Sequence, residues 1–154
     1  MEIVFVGTEK RSNFDYASKI FKNGKVLNGF NKLNESVVFE PIMAKEYEVQ
    51  NLFFEREIEA DLYITYPLSV VVKDTIKFKS LYELIDCIRS TYQQIYKEED
   101  ETSANIAEIK GLYNRGVSNG KYGIWGHSIY DLVIEGIRVL EGKEKPIVEV
   151  YIGS

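Results

Sequence analysis

The sequence predicts a single α+β domain: a mainly antiparallel sheet, one long helix packed on one face, and a C-terminal β-hairpin. Three observations carry this. An apolar stripe of helical period stands behind a capping signature near residue 80. Short runs of alternating polarity, bounded by Pro and Gly, lie on both sides of it. A chain of 154 residues, 45% of them hydrophobic, suits one domain with a real core.

Ile3, Val4, Phe5 and Val6 form an apolar run ended by Gly7, which reads as a first strand. Asn13 caps a short helix, because Phe14, Ala17, Ile20 and Phe21 share one helical face. Asn23-Gly24 stops that helix, since glycine takes the left-handed conformation cheaply. Asn28-Gly29 is a second turn signal. Residues 37–39 read as a short strand closed by Glu40-Pro41. Tyr47, Val49 and Phe53 fall at alternate positions and predict a half-buried strand over 47–53. Leu62, Ile64 and Tyr66 predict another, stopped by Pro67. Residues 68–72 are more uniformly apolar and read as buried on both faces.

The long helix is predicted from Leu81 to about Glu98. Ser80 is the cap, and Glu83 stands at capping-box spacing. Phe78 and Leu84 approach the hydrophobic-staple arrangement. Leu81, Leu84, Ile85, Ile88, Tyr92 and Ile95 make the stripe. Glu98, Glu99, Asp100 and Glu101 then oppose the helix dipole and repel one another. Residues 98–110 therefore read as an acidic mobile connector, with room for a helical turn over 104–109.

Behind it, residues 111–136 form a Gly/aromatic loop region containing the only Trp, Trp125, and the only His, His127. Ser128 and Asp131 imitate a capping box, so one helical turn is expected over 128–132. Val133, Ile134, Ile137 and Val139 are β-branched and predict a strand over 133–140. Gly142 marks a hairpin loop over 141–145. Pro146 opens the last strand, 147–152, where a missing N–H is tolerated.

Composition excludes several classes. No apolar run approaches the roughly 20 residues of a membrane helix. The N-terminus lacks a basic n-region and a long apolar core, so no signal peptide is expected. One cysteine rules out an internal disulfide framework and predicts a reducing, cytoplasmic setting. One cysteine with one histidine leaves no zinc set, and no other cofactor is expected. Net charge is −5, from 19 basic and 24 acidic residues, which argues against binding duplex nucleic acid. Basic residues do gather at Lys10, Arg11, Lys19, Lys22, Lys25 and Lys32.

Catalytic patterns are mostly missing. Neither a GxSxG elbow nor a P-loop occurs. Cys87 lies beside the helical stripe, where cysteine packs as a small hydrophobe. A small hydrolase would have to use His127 with Asp131 or Glu135, beside glycine-rich backbone that can stabilise an anion. Asn119-Gly120 is a tight-turn signal, and Gly123 and Gly126 flank Ile124-Trp125. Tyr113, Asn114, Arg115, Tyr122, Trp125 and His127 can line a binding pocket, with Arg115 offering its fork to a carboxylate or phosphate. The competing reading is scaffold: Trp125 mostly buried as a plug of the core, His127 bonded to a loop carbonyl.

The run from Asn119 to His127, NGKYGIWGH, followed by DLVIEGI from Asp131 to Ile137, resembles a signature in small uncharacterised proteins of microbial and large-virus genomes. The resemblance covers about a quarter of the chain and implies a family hallmark, with no activity attached. The functional expectation is a non-catalytic binding protein, inhibitor- or immunity-like, that masks a protein partner. The hydrolase and a small-ligand sensor using Arg115 and the loop aromatics are the alternatives.

Overall fold

Residues 40–48, 51, 53–104, 116–140 and 142–154 are described by the computed structural model. The strand at 3–6, the helix near 13–22, the turn at 28–29 and the strand at 37–39 lie outside them. The described elements are β1 (Glu40–Pro41), β2 (Phe53–Ile64), β3 (Val72–Ser80), α1 (Leu81–Thr102), a 3-10 turn (Ile129–Asp131), β4 (Val133–Leu140) and β5 (Ile147–Gly153). The strands form one sheet in the order β1-β4-β5-β2-β3. Every described pairing is antiparallel except β2 with β5. The result is the expected single α+β domain, with the helix on the sheet and a C-terminal hairpin.

The helix begins as its sequence dictates. Ser80 Oγ accepts the Glu83 N–H at 3.2 Å, and Phe78 and Leu84 both bury beneath that cap. Leu81, Leu84, Ile85, Ile88, Tyr92 and Ile95 all enter the core. One buried ion pair ties the helix to the first strand. Arg89 Nη2 lies 3.0 Å from Glu40 Oε2, and its Nε donates to the Pro41 carbonyl at 2.9 Å. Such a pair survives burial because extra hydrogen bonds satisfy both ions; Glu40 Oε1 also accepts the Glu48 N–H at 2.6 Å.

Several expectations need correction. Tyr47 and Glu48 are not in a strand. Tyr47 instead stacks on Tyr82 of α1 with centroids 3.8 Å apart and donates to Asp86 at 2.6 Å. The strand near residue 62 begins nine residues earlier, at Phe53. Glu57, Glu59 and Asp61 mask its alternation, yet Ile58, Ala60, Leu62 and Ile64 all face the core. β3 went unread for the same reason: Ile76, Phe78 and Ser80 point inward between exposed Lys77 and Lys79. Within 68–72, Leu68 is buried but Val70 and Val71 are exposed. Helix α1 also runs past Glu98, through Glu101 to Thr102. The connector expectation is therefore wrong for 98–102; residues 105–110 lie outside the described set.

The C-terminal third follows the sequence closely. Ser128 caps the 3-10 turn by accepting the Tyr130 N–H at 3.2 Å. β4 then pairs antiparallel with β5, with an irregularity between Ile134 and Gly136. The Pro146 carbonyl accepts the Asp61 N–H at 2.9 Å, which starts the parallel seam between β5 and β2.

Leu84 and Ile88 are fully buried. Leu84→Ala or Ile88→Ala should each cost about 2–5 kcal/mol in chemical denaturation. A loss under about 1 kcal/mol at both positions would show that this stripe is not core.

Candidate functional site

The glycine-rich loop, residues 116–126, folds back on itself. Val117 bridges Trp125, and the Ser118 N–H donates to the Ile124 carbonyl at 2.9 Å. Its outer side docks on residues 67–69. The Trp125 N–H donates to the Pro67 carbonyl at 3.0 Å, the Ser69 N–H reaches the Gly123 carbonyl at 2.9 Å, and Leu68 bridges Ile124. Gly123 and Gly126 have φ of 63° and 74°, a region that glycine enters at no steric cost. The backbone therefore turns on both sides of the Ile124-Trp125 pair.

The inner side of the loop docks on the last turn of α1, and a buried carboxylate is the anchor. Glu99 is 0% exposed. Its Oε2 accepts the Ser118 hydroxyl at 2.5 Å and the Gly120 N–H at 2.9 Å. Its Oε1 accepts the Tyr122 N–H at 2.7 Å and the Gly123 N–H at 3.3 Å. Burial by itself pushes this carboxyl up. The hydrogen bonds from Ser118 and from the Tyr122, Gly120 and Gly123 amides outweigh it and hold the group below the ordinary carboxylate value. Gly120 is required here, because a Cβ would stand 2.7 Å from the Glu99 carboxyl carbon.

Neighbouring residues of the same turn complete the dock. Glu98 accepts the Tyr122 hydroxyl and lies 3.5 Å from Lys121 Nζ. The Tyr122 hydroxyl proton is correspondingly held above its usual range, by burial and by that carboxylate. Thr102 Oγ1 accepts the Lys121 N–H at 2.9 Å. Asn119 Oδ1 accepts the Ser103 hydroxyl at 3.0 Å and the Ala104 N–H at 2.8 Å. The acidic run is thus the receptor for the loop rather than a break in the helix.

Three aromatic rings gather on the far side of the loop. Tyr66 and Trp125 meet edge to face with centroids 5.3 Å apart; Tyr66 and His127 are 5.4 Å apart, Trp125 and His127 6.0 Å. Tyr66 Oη and His127 Nε2 are 2.7 Å apart, and Tyr66 Oη is 3.2 Å from Ser154 Oγ. Both backbones are pinned from α1: the Tyr92 hydroxyl donates to the Tyr66 carbonyl at 2.7 Å, and the Tyr96 hydroxyl to the His127 carbonyl at 2.9 Å. Trp125 is 40% exposed, with its Nε1 3.4 Å from the Leu68 carbonyl. The expectation of a mostly buried Trp125 is corrected: the backbone hydrogen bond to Pro67 and the bridge to Val117 keep it on the surface, and Ile124 fills the core in its place.

Of the sequence-predicted binding residues, the structure brings together Trp125 and His127. Tyr122 turns inward against α1, and Tyr113, Asn114 and Arg115 lie outside the described residues. Two members of the arrangement escaped the sequence reading. Tyr66 sits 59 residues before Trp125 in the numbering, and Glu99 hides in a run of four acids whose members look alike. The imidazole meets Tyr66 rather than a carboxylate; Asp131 is exposed in the 3-10 turn, and Glu135 lies against Gly153 on β5. Among the described residues no group of three or more His, Cys, Asp or Glu is set to hold a metal. No described helix is long and apolar enough to cross a membrane. A cavity of 420 Å³ opens between Met43, Tyr96, Lys97 and Ile129, and none of the three rings lines it. No protein-family model, curated protein or solved structure matches the chain.

Removing the Glu99 carboxylate takes the acceptor from the Gly120, Tyr122 and Gly123 amides and leaves the Ser118 hydroxyl only the Ile124 carbonyl. Glu99→Ala should cost about 3–5 kcal/mol, because each buried amide left without an acceptor costs about 1–3 kcal/mol, while exposed Glu101→Ala stays within about 0.5 kcal/mol. Because the folded value lies below the unfolded one, the stabilisation from Glu99 is complete above the ordinary carboxylate range. It is lost as pH falls through the lowered value. The difference between wild-type and Glu99→Gln stability curves should therefore shrink in acid. A pH-independent difference would contradict this assignment.

Proposed function

We propose that the chain is a non-catalytic binding protein that covers a protein partner through the face built by residues 69–71 and the Trp125 loop. The observation that carries this reading is a cluster of exposed apolar side chains. Seven large hydrophobic side chains are exposed among the described residues, and four of them (Val70, Val71, Val117 and Trp125) belong to two segments bonded to each other. Contiguous apolar surface on a small domain marks an interaction site, and a half-exposed Trp is the side chain most often found at binding hot spots. The loop is held on both sides, so the face is preorganised and little ordering entropy opposes docking. Ser69, Gly116 and Gly126 bring no charge to it. The partner surface it fits is apolar and uncharged, which is the inhibitor- or immunity-like behaviour expected of a masking protein. The lone cysteine supports a cytoplasmic setting.

The test uses full-length chain as bait with Trp125→Ala and Val71→Asp in parallel, each first shown to melt cooperatively. The wild type is expected to retain a specific partner that both variants lose. Binding of that partner should change little between low and high salt, because Val70, Val71, Val117 and Trp125 carry no charge and the loop's one charged residue, Lys121, is paired with Glu98 on the inner side. Retention by both variants, or salt-sensitive binding, would defeat the reading, the latter in favour of a charged docking surface.

A further inference from the structure

We infer that Glu99 is the positioning residue of this face: through Ser118, Gly120, Tyr122 and Gly123, its carboxylate holds the hairpin that carries Trp125 against its outer contact. The inference rests on the binding reading for its purpose, while its geometry is independent of any partner. Glu99 is fully buried and cannot touch a partner itself. Its influence travels by a short route. The Ser118 hydroxyl donates to Glu99 at 2.5 Å and accepts the Ile124 N–H at 2.9 Å. Ile124 is the residue before Trp125, so a single oxygen links the carboxylate to the strand edge that carries the ring. The Gly120, Tyr122 and Gly123 amides fix the rest of the turn from the same two oxygens.

The chemistry explains why a carboxylate is needed. Four donors converge on one buried point, and a carboxylate is the side chain that is acceptor only at both oxygens. A glutamine would turn two N–H donors toward one donor pair, either Ser118 and Gly120 or Tyr122 and Gly123. The Ser118 hydroxyl can turn to the Ile124 carbonyl at 3.1 Å, but the Gly120 amide, or the Tyr122 and Gly123 amides, would face a donor in a dry site, which favours movement of the loop away from α1. The chain keeps its fold, but the hairpin loses its inner support and is left on the outer contact alone, the Trp125 N–H to the Pro67 carbonyl and the Ser69 N–H to the Gly123 carbonyl, so Trp125 is held less tightly.

Trp125 is the only tryptophan, so its emission and its quenching by acrylamide report its own surroundings. In Glu99→Gln, quenching is expected to rise and the emission maximum to shift, while the far-UV spectrum stays native. Glu101→Gln, from the same acidic run, should match the wild type. Ile88→Ala, which weakens the core without touching the loop, should match it too, and this separates positioning from general destabilisation. Ser118→Ala, which cuts only the relay to Ile124, should give a smaller rise. It also stands in if Glu99→Gln fails to fold. Wild-type quenching and emission in folded Glu99→Gln, or in Ser118→Ala should that variant stand in, would overturn the inference. An equal change in Ile88→Ala would do the same. A moved Trp125 together with a partner that still binds Trp125→Ala would leave the role of Glu99 standing and remove only the proposed docking face.

Discussion

A carboxylate taken out of water must be met by donors, and in this chain the donors come from one loop. Glu99 lies in the last turn of α1, where the dipole of the helix already opposes a negative charge. Left alone, such a residue would stay in solvent or end the helix. Here Ser118 and the amides of Gly120, Tyr122 and Gly123 surround it. The cost of burial and the cost of ordering a glycine-rich loop are thereby met by the same set of bonds. The shape of the loop follows from this arrangement, and the stance of Trp125 from it together with the outer contact on Pro67 and Leu68.

The loop is a two-sided clamp. Its inner side faces Glu99 and Thr102, and its outer side faces residues 67–69. Gly120 lets backbone approach the carboxylate, and Gly123 makes the turn that carries the chain from α1 to the outer contact. Between these anchors the apolar residues divide. Ile124 goes into the core, and Trp125 goes out against Tyr66 and His127. A composition rich in glycine thus yields one ordered aromatic face.

How much of this was legible in the sequence depended on whether the signal was local. The Ser80 cap, the apolar stripe of α1, the Ser128 turn and the hairpin after Val133 rest on neighbours a few residues apart, and they could be read. β2 and β3 could not, because Glu57, Glu59, Lys77 and Lys79 alternate with core residues and disguise the strands as a charged surface. The end of α1 was misjudged because helix–dipole reasoning treats a run of acids as solvated. It has no means of seeing that one of them, Glu99, meets a loop 19 residues away. The loop drew notice through its glycines and its single Trp and His, yet Tyr66 completes the aromatic group from 61 residues before His127. Trp125 was assigned inward because large aromatics usually bury. Which of two adjacent residues in a strand faces inward is set by register, and register here is set by the contact with Pro67 and Leu68.

Amide hydrogen exchange resolved to single residues tests the carboxylate anchor most directly. The Gly120, Tyr122 and Gly123 amides should be protected in the wild type, although they lie in a loop with no regular secondary structure. In Glu99→Gln that protection should fall selectively, with the β2 and β3 amides still slow. Equal protection of the three loop amides in both proteins would contradict the account.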